Sequence, residues 1–193
     1  MHIFNESKTA GVRDAAMIII IAGASHTGKT LLSQKLLEKY RFPYLSVDHL
    51  KMGLIRSGNT LLTPEDDDKL TDYLFPIVRE IIKTAIENSQ NLIVEGCYIP
   101  FDWRRQFDET YLPSIRFICL AMTDRYIEGH IGDIKRYESS IEHRVECGDE
   151  TVEKFKEDNR KNIEGFTAAG EKVVLIDSDY EKTLNDLIGR MGI

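Results

Sequence analysis

Residues 17–30 read MIIIIAGASHTGKT, and this stretch decides the fold. Its apolar part, 17–22, is typical of a buried strand, and residues 23–30 match the phosphate-binding pattern G-x-x-x-x-G-K-[ST]. A helical apolar pattern begins at Leu31. At ordinary residue frequencies, a chain of 193 residues matches the pattern by chance in under about 1% of cases. Strand, glycine-rich loop and helix, in that order, predict a loop that binds a nucleoside triphosphate.

The residue types in this loop match the tasks of phosphate binding. Gly23 and Gly28 let the backbone turn its N–H groups inward, where side chains would obstruct a phosphate. We expect Lys29 to reach the β- and γ-phosphates and the Thr30 hydroxyl to bind Mg²⁺, so ATP and Mg²⁺ are the expected cofactors. The predicted nucleotide contacts in this stretch are Gly23, Ala24, Ser25, His26, Thr27, Gly28, Lys29, Thr30 and Leu31.

Composition limits the classes of partner. The chain is 42% hydrophobic and 30% charged, as expected of one soluble globular domain. Its formal net charge of −7 argues against nucleic acid, because polyanion-binding proteins usually carry a basic excess. The run 17–22 is too short to span a membrane and no signal peptide is visible, so we expect a cytoplasmic protein with no membrane partner. The expected partner is a small-molecule acceptor, and the chain is expected to be a monomer or a homodimer.

The three cysteines give no sign of a metal site or a disulfide framework. Cys97, Cys119 and Cys147 are odd in number and widely spaced, with no C-x-x-C pair. Cys97 and Cys119 lie inside apolar runs. We therefore expect reduced thiols, as is usual in the cytoplasm.

Apolar runs and helical patterns alternate along the chain. The predicted buried strands are 17–22, 43–47, 92–97, 115–121 and 172–176. This alternation predicts an α/β fold in which helices cover both faces of a parallel sheet. We assign residues 1–16 to an extension and 17–193 to the domain.

The clearest helix follows Thr63 and Pro64, which are suited to the N-cap and the first helical position. Its apolar residues recur at spacings of three and four, and Pro76 should kink it. Shorter helices are predicted at 102–109, 124–137, 150–166 and 180–191. The charged segment 128–160 is interpreted as a mobile flap or as a solvated helix pair.

Two carboxylates lie at the carboxyl ends of predicted strands, where ligand sites of open parallel sheets lie. We expect Asp48 to act as general base or orienter for an acceptor hydroxyl, although a helix N-cap role is also possible. Glu95 lies in an otherwise apolar strand, where a carboxylate is costly unless it is paired. A metal-linked or substrate-linked role is one interpretation of Glu95, and an ion pair is the other.

Arginines are suited to hold a moving phosphate, because they are permanently charged and bidentate. Arg136 and Arg144 in the predicted flap are candidates to close over the triphosphate. Trp103 is interpreted either as core packing or as a wall of the acceptor site. The candidates for binding an anionic acceptor are Arg56, Arg104 and Arg105.

With these features placed, the chain resembles the P-loop small-molecule and nucleotide kinases of adenylate-kinase-like topology. The segments that carry the resemblance beyond the phosphate loop are YLSVDHL (44–50), LIVEGCYIP (92–100), RFICLAMTDRYIEGHI (116–131) and KVVLIDSDY (172–180). The resemblance implies a three-layer α/β/α sandwich with strand order 2-3-1-4-5 and a small helical lid, here about 128–160. It also implies acidic residues that face the phosphates at Asp48 and Glu95.

Within that family the sequence is most similar to shikimate kinase, chloramphenicol phosphotransferase and zeta-toxin-like kinases. It departs from the D-x-D pattern of shikimate kinase, because His49 follows Asp48, and His130 stands where a lid arginine is often found. The predicted function is transfer of the γ-phosphate of ATP to a hydroxyl of a small metabolite, with Mg²⁺. Two alternatives stay open: a nucleoside-monophosphate kinase, and an ATP-binding protein without kinase activity.

Overall fold

The computed structural model describes residues 16–137 and 151–192, which fold around a five-stranded parallel sheet. The strands are β1 (Ile18–Gly23), β2 (Tyr44–Ser46), β3 (Leu92–Glu95), β4 (Ile115–Met122) and β5 (Val173–Ile176). Their order is β2-β3-β1-β4-β5, which confirms the order that the resemblance implies. Strand β1 pairs with β3 on one side and β4 on the other, so the loop after β1 leaves from the centre of the sheet.

The helices of the described residues lie between these strands, as an α/β alternation requires. They are α1 (Lys29–Tyr40), α2 (Val47–Arg56), α3 (Asp67–Glu87), α4 (Asp124–Tyr137), α5 (Val152–Ala168) and α6 (Tyr180–Arg190). Two 3₁₀ turns lie at Trp103–Gln106 and Leu112–Ser114. None of the helices in the described ranges has the length and apolar composition needed to cross a membrane.

Strand β1 separates two apolar layers, which gives the three-layer sandwich that the sequence predicts. Ile18 and Ile20 face a cluster that includes Leu74 of α3 and Phe166 of α5. Ile19 and Ile21 face the opposite cluster, with residues of α1 and α6. All four isoleucines are fully buried, because a central parallel strand is covered on both faces.

The long amphipathic helix begins later than the sequence predicts. The predicted start at Thr63 and Pro64 is wrong, since α3 begins at Asp67. The Asp66 carboxylate instead accepts hydrogen bonds from the backbone N–H and the hydroxyl of Thr63, which form a turn before the helix. Helix α3 continues through Pro76 to Glu87.

The predicted helix 124–137 is confirmed with the same bounds, and the helices at 150–166 and 180–191 are present with ends shifted by one or two residues, whereas 102–109 is not an α-helix. That segment contains only the 3₁₀ turn Trp103–Gln106, with Trp103 fully buried and stacked on Phe117 at 5.2 Å between ring centroids. Core packing is therefore the role that the structure gives Trp103. The N-cap of α5 is Thr151, whose hydroxyl accepts a hydrogen bond from the N–H of Lys154.

The predicted flap includes the end of α4 and the start of α5. Helix α4 leaves helical geometry at His130, where φ is −131°, and the His130 ring stacks on Tyr126 at 4.2 Å. Helix α5 is anchored to the sheet, because the buried Asn159 side chain accepts a hydrogen bond of 2.7 Å from the N–H of Met122. Residues 138–150 of the flap, and 1–15 of the predicted extension, lie outside the described residues.

Candidate active site

The phosphate-loop pattern forms a tight turn between β1 and α1, and both of its glycines are sterically required. Gly23 has φ +142°, and a Cβ there would lie 2.2 Å from the Leu120 carbonyl oxygen of β4. Gly28 has φ +86°, and a Cβ there would lie 1.6 Å from the Tyr180 hydroxyl oxygen. A larger residue would therefore displace the backbone of β4 at position 23, or the Tyr180 side chain at position 28, as well as straining the loop backbone.

The Lys29 side chain is held against this loop. Its Nζ donates a hydrogen bond of 2.7 Å to the Ala24 carbonyl oxygen, and the buried Thr27 hydroxyl donates to the same oxygen at 2.9 Å. Lys29 is also the first residue of α1, so its ammonium lies by the positive end of the helix dipole. The Lys29 ammonium and the positive end of the α1 dipole thus both lie at the loop, which favours the binding of a polyanion.

Thr30 and Glu95, the two predicted metal ligands, lie together. The Thr30 hydroxyl donates to Glu95 Oε1 at 3.4 Å, although 65 positions separate the two residues in sequence. Glu95 is the last residue of β3 and is only 1% exposed, so a polar partner at this position offsets its desolvation. A hydroxyl and a carboxylate beside a phosphate loop are the oxygen ligands that Mg²⁺ takes, together with waters and phosphates.

Asp48 follows β2, the strand that pairs with the strand of Glu95. It is in the first turn of α2, which follows β2 directly, and Ser46 of β2 pairs in register with Glu95. Ser46 occupies the N-cap position of α2, so Asp48 is not the cap. The Asp48 carboxylate forms an ion pair of 2.9 Å with Lys51.

Lys51 joins Asp48 to a network that reaches α3. Its Nζ also donates to the Tyr98 hydroxyl at 2.9 Å, and that hydroxyl donates to Asp67 Oδ1 at 2.8 Å. Burial raises the pKa of Tyr98 well above its usual value, and the hydrogen bond to Asp67 adds to the effect. Tyr98 is therefore a neutral phenol at physiological pH.

A thiol connects this network to the phosphate loop. Cys97, which precedes Tyr98, has its Sγ 3.6 Å from the Ser25 hydroxyl of the loop. Cys119 is buried in β4, and desolvation raises the pKa of its thiol to about 12, so it is not a reactive thiolate. Both are free thiols, as predicted, and Cys147 lies outside the described residues.

Two aromatic side chains from later elements pack against the loop. The Tyr180 hydroxyl, at the start of α6, touches the backbone at Gly28, and burial raises the pKa of Tyr180 above its usual value. The His26 ring makes an edge-to-face contact with Phe155 of α5 at 5.2 Å between centroids. The loop is thus supported from α5 and α6 as well as from the sheet.

The arginine candidates among the described residues are exposed, and two of them pair with carboxylates other than Asp48. Arg104 pairs with Glu171 at 2.8 Å, and Glu171 lies two residues before β5 begins. The pair is therefore at the amino ends of the strands, whereas the phosphate loop is at their carboxyl ends. Arg56 ends α2 and is exposed, as is Arg105. Arg136 is exposed on α4 and pairs with Asp133, while the remaining candidate, Arg144, lies outside the described residues.

Sequence reasoning missed three side chains of this region: Lys51, Tyr98 and Tyr180. Lys51 is one turn of helix after Asp48, so the i,i+3 spacing could have suggested the ion pair. No comparable signal joins Tyr98 to Asp67 or Tyr180 to Gly28, because each pair depends on how distant segments pack.

Solved structures share this fold across nearly the whole chain. Shikimate kinase from Bacteroides thetaiotaomicron superposes with a TM-score of 0.55 at 12% identity, covering 92% of this chain and 99% of that one. A gluconokinase from Sinorhizobium meliloti 1021 gives 0.51 at 11% identity, covering 91% and 90%. Shikimate kinase from Aquifex aeolicus gives 0.50 at 13% identity, covering 89% and 94%.

The resemblance to P-loop small-molecule kinases is thereby confirmed at the level of the fold. No protein-family model matches the chain, and no curated protein matches it in sequence.

Proposed function

We propose that this protein is a Mg²⁺-dependent kinase that transfers the γ-phosphate of ATP to a hydroxyl of a small metabolite. The observation that supports this most directly is the convergence of the Thr30 hydroxyl and the Glu95 carboxylate at 3.4 Å beside the loop that holds Lys29. The presence of Lys29, Thr30, Asp48 and Glu95 together speaks against a protein that only binds ATP. The names of its structural neighbours, shikimate kinase and gluconokinase, agree with a hydroxyl acceptor.

In this proposal the protein supplies position and charge, which are the main requirements of phosphoryl transfer. The loop amides and Lys29 hold the phosphates, and Thr30 and Glu95 would hold Mg²⁺, which neutralises phosphate charge when bound. Asp48 orients the acceptor hydroxyl and takes its proton. The acceptor oxygen forms a bond to the γ-phosphorus, the bond from that phosphorus to the β,γ-bridging oxygen breaks, and ADP leaves.

The test is a metabolite panel with MgATP, scored as ADP release above the rate without acceptor. Sugars, sugar acids, polyols and hydroxylated antibiotics form the first group, and nucleoside monophosphates the second. A hit in the first group supports the proposal, and the phosphorylated product identifies the hydroxyl. A hit only among nucleoside monophosphates would replace it with the alternative kinase reaction. ATP binding without any acceptor would favour the non-catalytic alternative.

A further inference from the structure

The ammonium of Lys51 is held in a defined place by two neighbours. Its side chain is 13% exposed, and its Nζ lies 2.9 Å from both Asp48 Oδ1 and the Tyr98 hydroxyl. The same ammonium lies 4.8 Å from the centre of the Tyr98 ring. A mostly desolvated ammonium keeps such partners, because losing either would leave a charge poorly compensated.

The hydrogen bonds of Tyr98 give this chain of contacts a fixed direction. Its phenol has one hydrogen, which it donates to Asp67 at 2.8 Å. Since burial and Asp67 both raise the pKa of Tyr98, the phenol keeps that hydrogen and offers a lone pair to Lys51. Lys51 therefore donates to Tyr98 on one side and to Asp48 on the other.

This direction ties Asp48 to elements outside its own helix. Tyr98 follows β3, Asp67 is the first residue of α3, and Asp48 and Lys51 belong to α2. Cys97, next to Tyr98, contacts Ser25 of the phosphate loop at 3.6 Å. Through Lys51 and Tyr98, the Asp48 carboxylate is thus connected by contacts both to α3 and to the loop that binds the phosphates.

We propose that Lys51 is a positioning residue that holds the Asp48 carboxylate in the orientation that the acceptor hydroxyl requires, with Tyr98 and Asp67 fixing Lys51. The inference rests on the proposed function, because Asp48 is the group that meets the acceptor. Lys51 acts through Asp48. Its removal takes away the ion pair that fixes the carboxylate from α2, and misplacing a reacting group by about 1 Å can cost on the order of a hundredfold in rate.

The experiment compares Lys51→Met with Lys35→Met, a matched control. Lys35 is also an ion-paired lysine, 2.9 Å from Glu181, but it lies on α1 facing α6, and neither Asp48 nor Tyr98 is among its contacts. Steady-state rates are measured with MgATP and the acceptor identified by the panel, and also with water as the acceptor. We expect Lys51→Met to lower kcat at least about tenfold, while KM for ATP stays within about twofold and Lys35→Met changes neither.

Tyr98→Phe tests the second half of the chain. It keeps the ring and removes the hydroxyl, so we expect a smaller fall in kcat, of about threefold to tenfold. In the double variant the tyrosine change should add little, because its effect passes through Lys51. Fully multiplicative losses, or a kcat for Lys51→Met within about twofold of wild type, would overturn the proposal.

A crystal structure of Lys51→Met separates this inference from the kinase proposal. If the wild type turns over no acceptor and no water, the kinase proposal fails, and the position of Asp48 decides the inference. A carboxylate displaced from its wild-type place supports the positioning role. A carboxylate in the same place refutes it, even if the protein proves to be an active kinase.

Discussion

The nucleotide side and the acceptor side of the candidate site are held together in different ways. On the nucleotide side the bonds that hold Lys29 are local, since Thr27 and Lys29 donate to the carbonyl of Ala24, three and five residues away, and the Thr30–Glu95 contact is the long-range addition. On the acceptor side they are long-range, since Tyr98 is 47 positions from Lys51 and 31 from Asp67. A local turn keeps its shape wherever its ends are fixed, whereas a long-range network depends on the packing of α2 against α3.

The difference predicts that substitutions on the two sides will change different quantities, ATP affinity on one side and turnover alone on the other. In the proposed reaction the nucleotide side would hold the group that is transferred, so its loss should affect both ATP binding and turnover. The acceptor side would contact only the second substrate, so its loss should spare ATP binding. Three substitutions test this division, beginning with the largest expected effect, and a fourth tests the stability of the turn before α3.

Lys29→Ala should cause the largest loss. It removes the cation that the loop holds for the phosphates, and we expect turnover to fall about a thousandfold or more. The measurement is ADP release at saturating acceptor, with circular dichroism to establish that the fold survives. Lys35→Ala is the control, because it removes another lysine of α1, one that pairs with Glu181. Turnover near that of the wild type would exclude Lys29 as the cation that holds the phosphates.

Asp48→Asn should lower kcat about a hundredfold, with ATP affinity within about twofold of wild type. The amide keeps the size of the side chain but cannot take the proton of the acceptor. The dissociation constant of a non-hydrolysable ATP analogue, measured by calorimetry, gives the affinity. An unchanged kcat would refute Asp48 as the base, and an equal loss of ATP affinity would remove the distinction between the two sides.

Glu95→Gln should raise the Mg²⁺ concentration needed for half-maximal turnover by about tenfold. The substitution keeps a hydrogen-bonding oxygen for Thr30 but removes the negative charge that favours a divalent cation. Turnover measured against Mg²⁺ at saturating ATP gives the value. Thr30→Ser, which keeps the hydroxyl, is the control and should resemble the wild type. A Mg²⁺ requirement unchanged in Glu95→Gln would remove Glu95 from the metal site.

Asp66→Asn should have the smallest effect, and only on stability. Hydrogen bonds from Lys69 and from Thr63 lower the pKa of Asp66 from 3.8 to about 2. A carboxylate with a lowered pKa stabilises the fold fully above its unfolded pKa, and that contribution disappears as pH falls toward the folded value. The melting-temperature difference between wild type and variant should therefore be present at pH 6 and vanish near pH 2. A pH-independent difference would contradict this account.

Much of the fold could be predicted from sequence because its signals are local. The apolar runs locate all five strands to within two residues at either end, and the phosphate-loop pattern locates the centre of the sheet. The start of α3 could not be placed. The Asp66 carboxylate accepts a hydrogen bond from the N–H of Thr63, and this bond forms a separate turn where the helix was expected to begin. Local hydrogen bonds from side chains to the backbone compete with helix formation, and the sequence pattern does not say which of them forms.

The candidate site follows the same division. The proximity of Thr30 and Glu95 could be predicted from strand ends, since neighbouring parallel strands end at one edge. Arg104 could not be placed, because nothing in the sequence indicates that the chain after β3 turns back to bring it to Glu171. The link from Lys51 through Tyr98 to Asp67 was equally invisible, since it requires the packing of three elements.

The bond from Lys29 to the Ala24 carbonyl has a consequence for nucleotide selectivity. The Lys29 ammonium is already hydrogen-bonded to a peptide oxygen. A phosphate that binds to Lys29 must therefore replace that oxygen as its acceptor. Affinity at this position is then an exchange free energy, phosphate oxygen against amide oxygen. Only a nucleotide whose phosphates reach Lys29 and carry enough negative charge to replace the amide oxygen would gain affinity from the lysine. The exchange therefore disfavours nucleotides that lack the γ-phosphate.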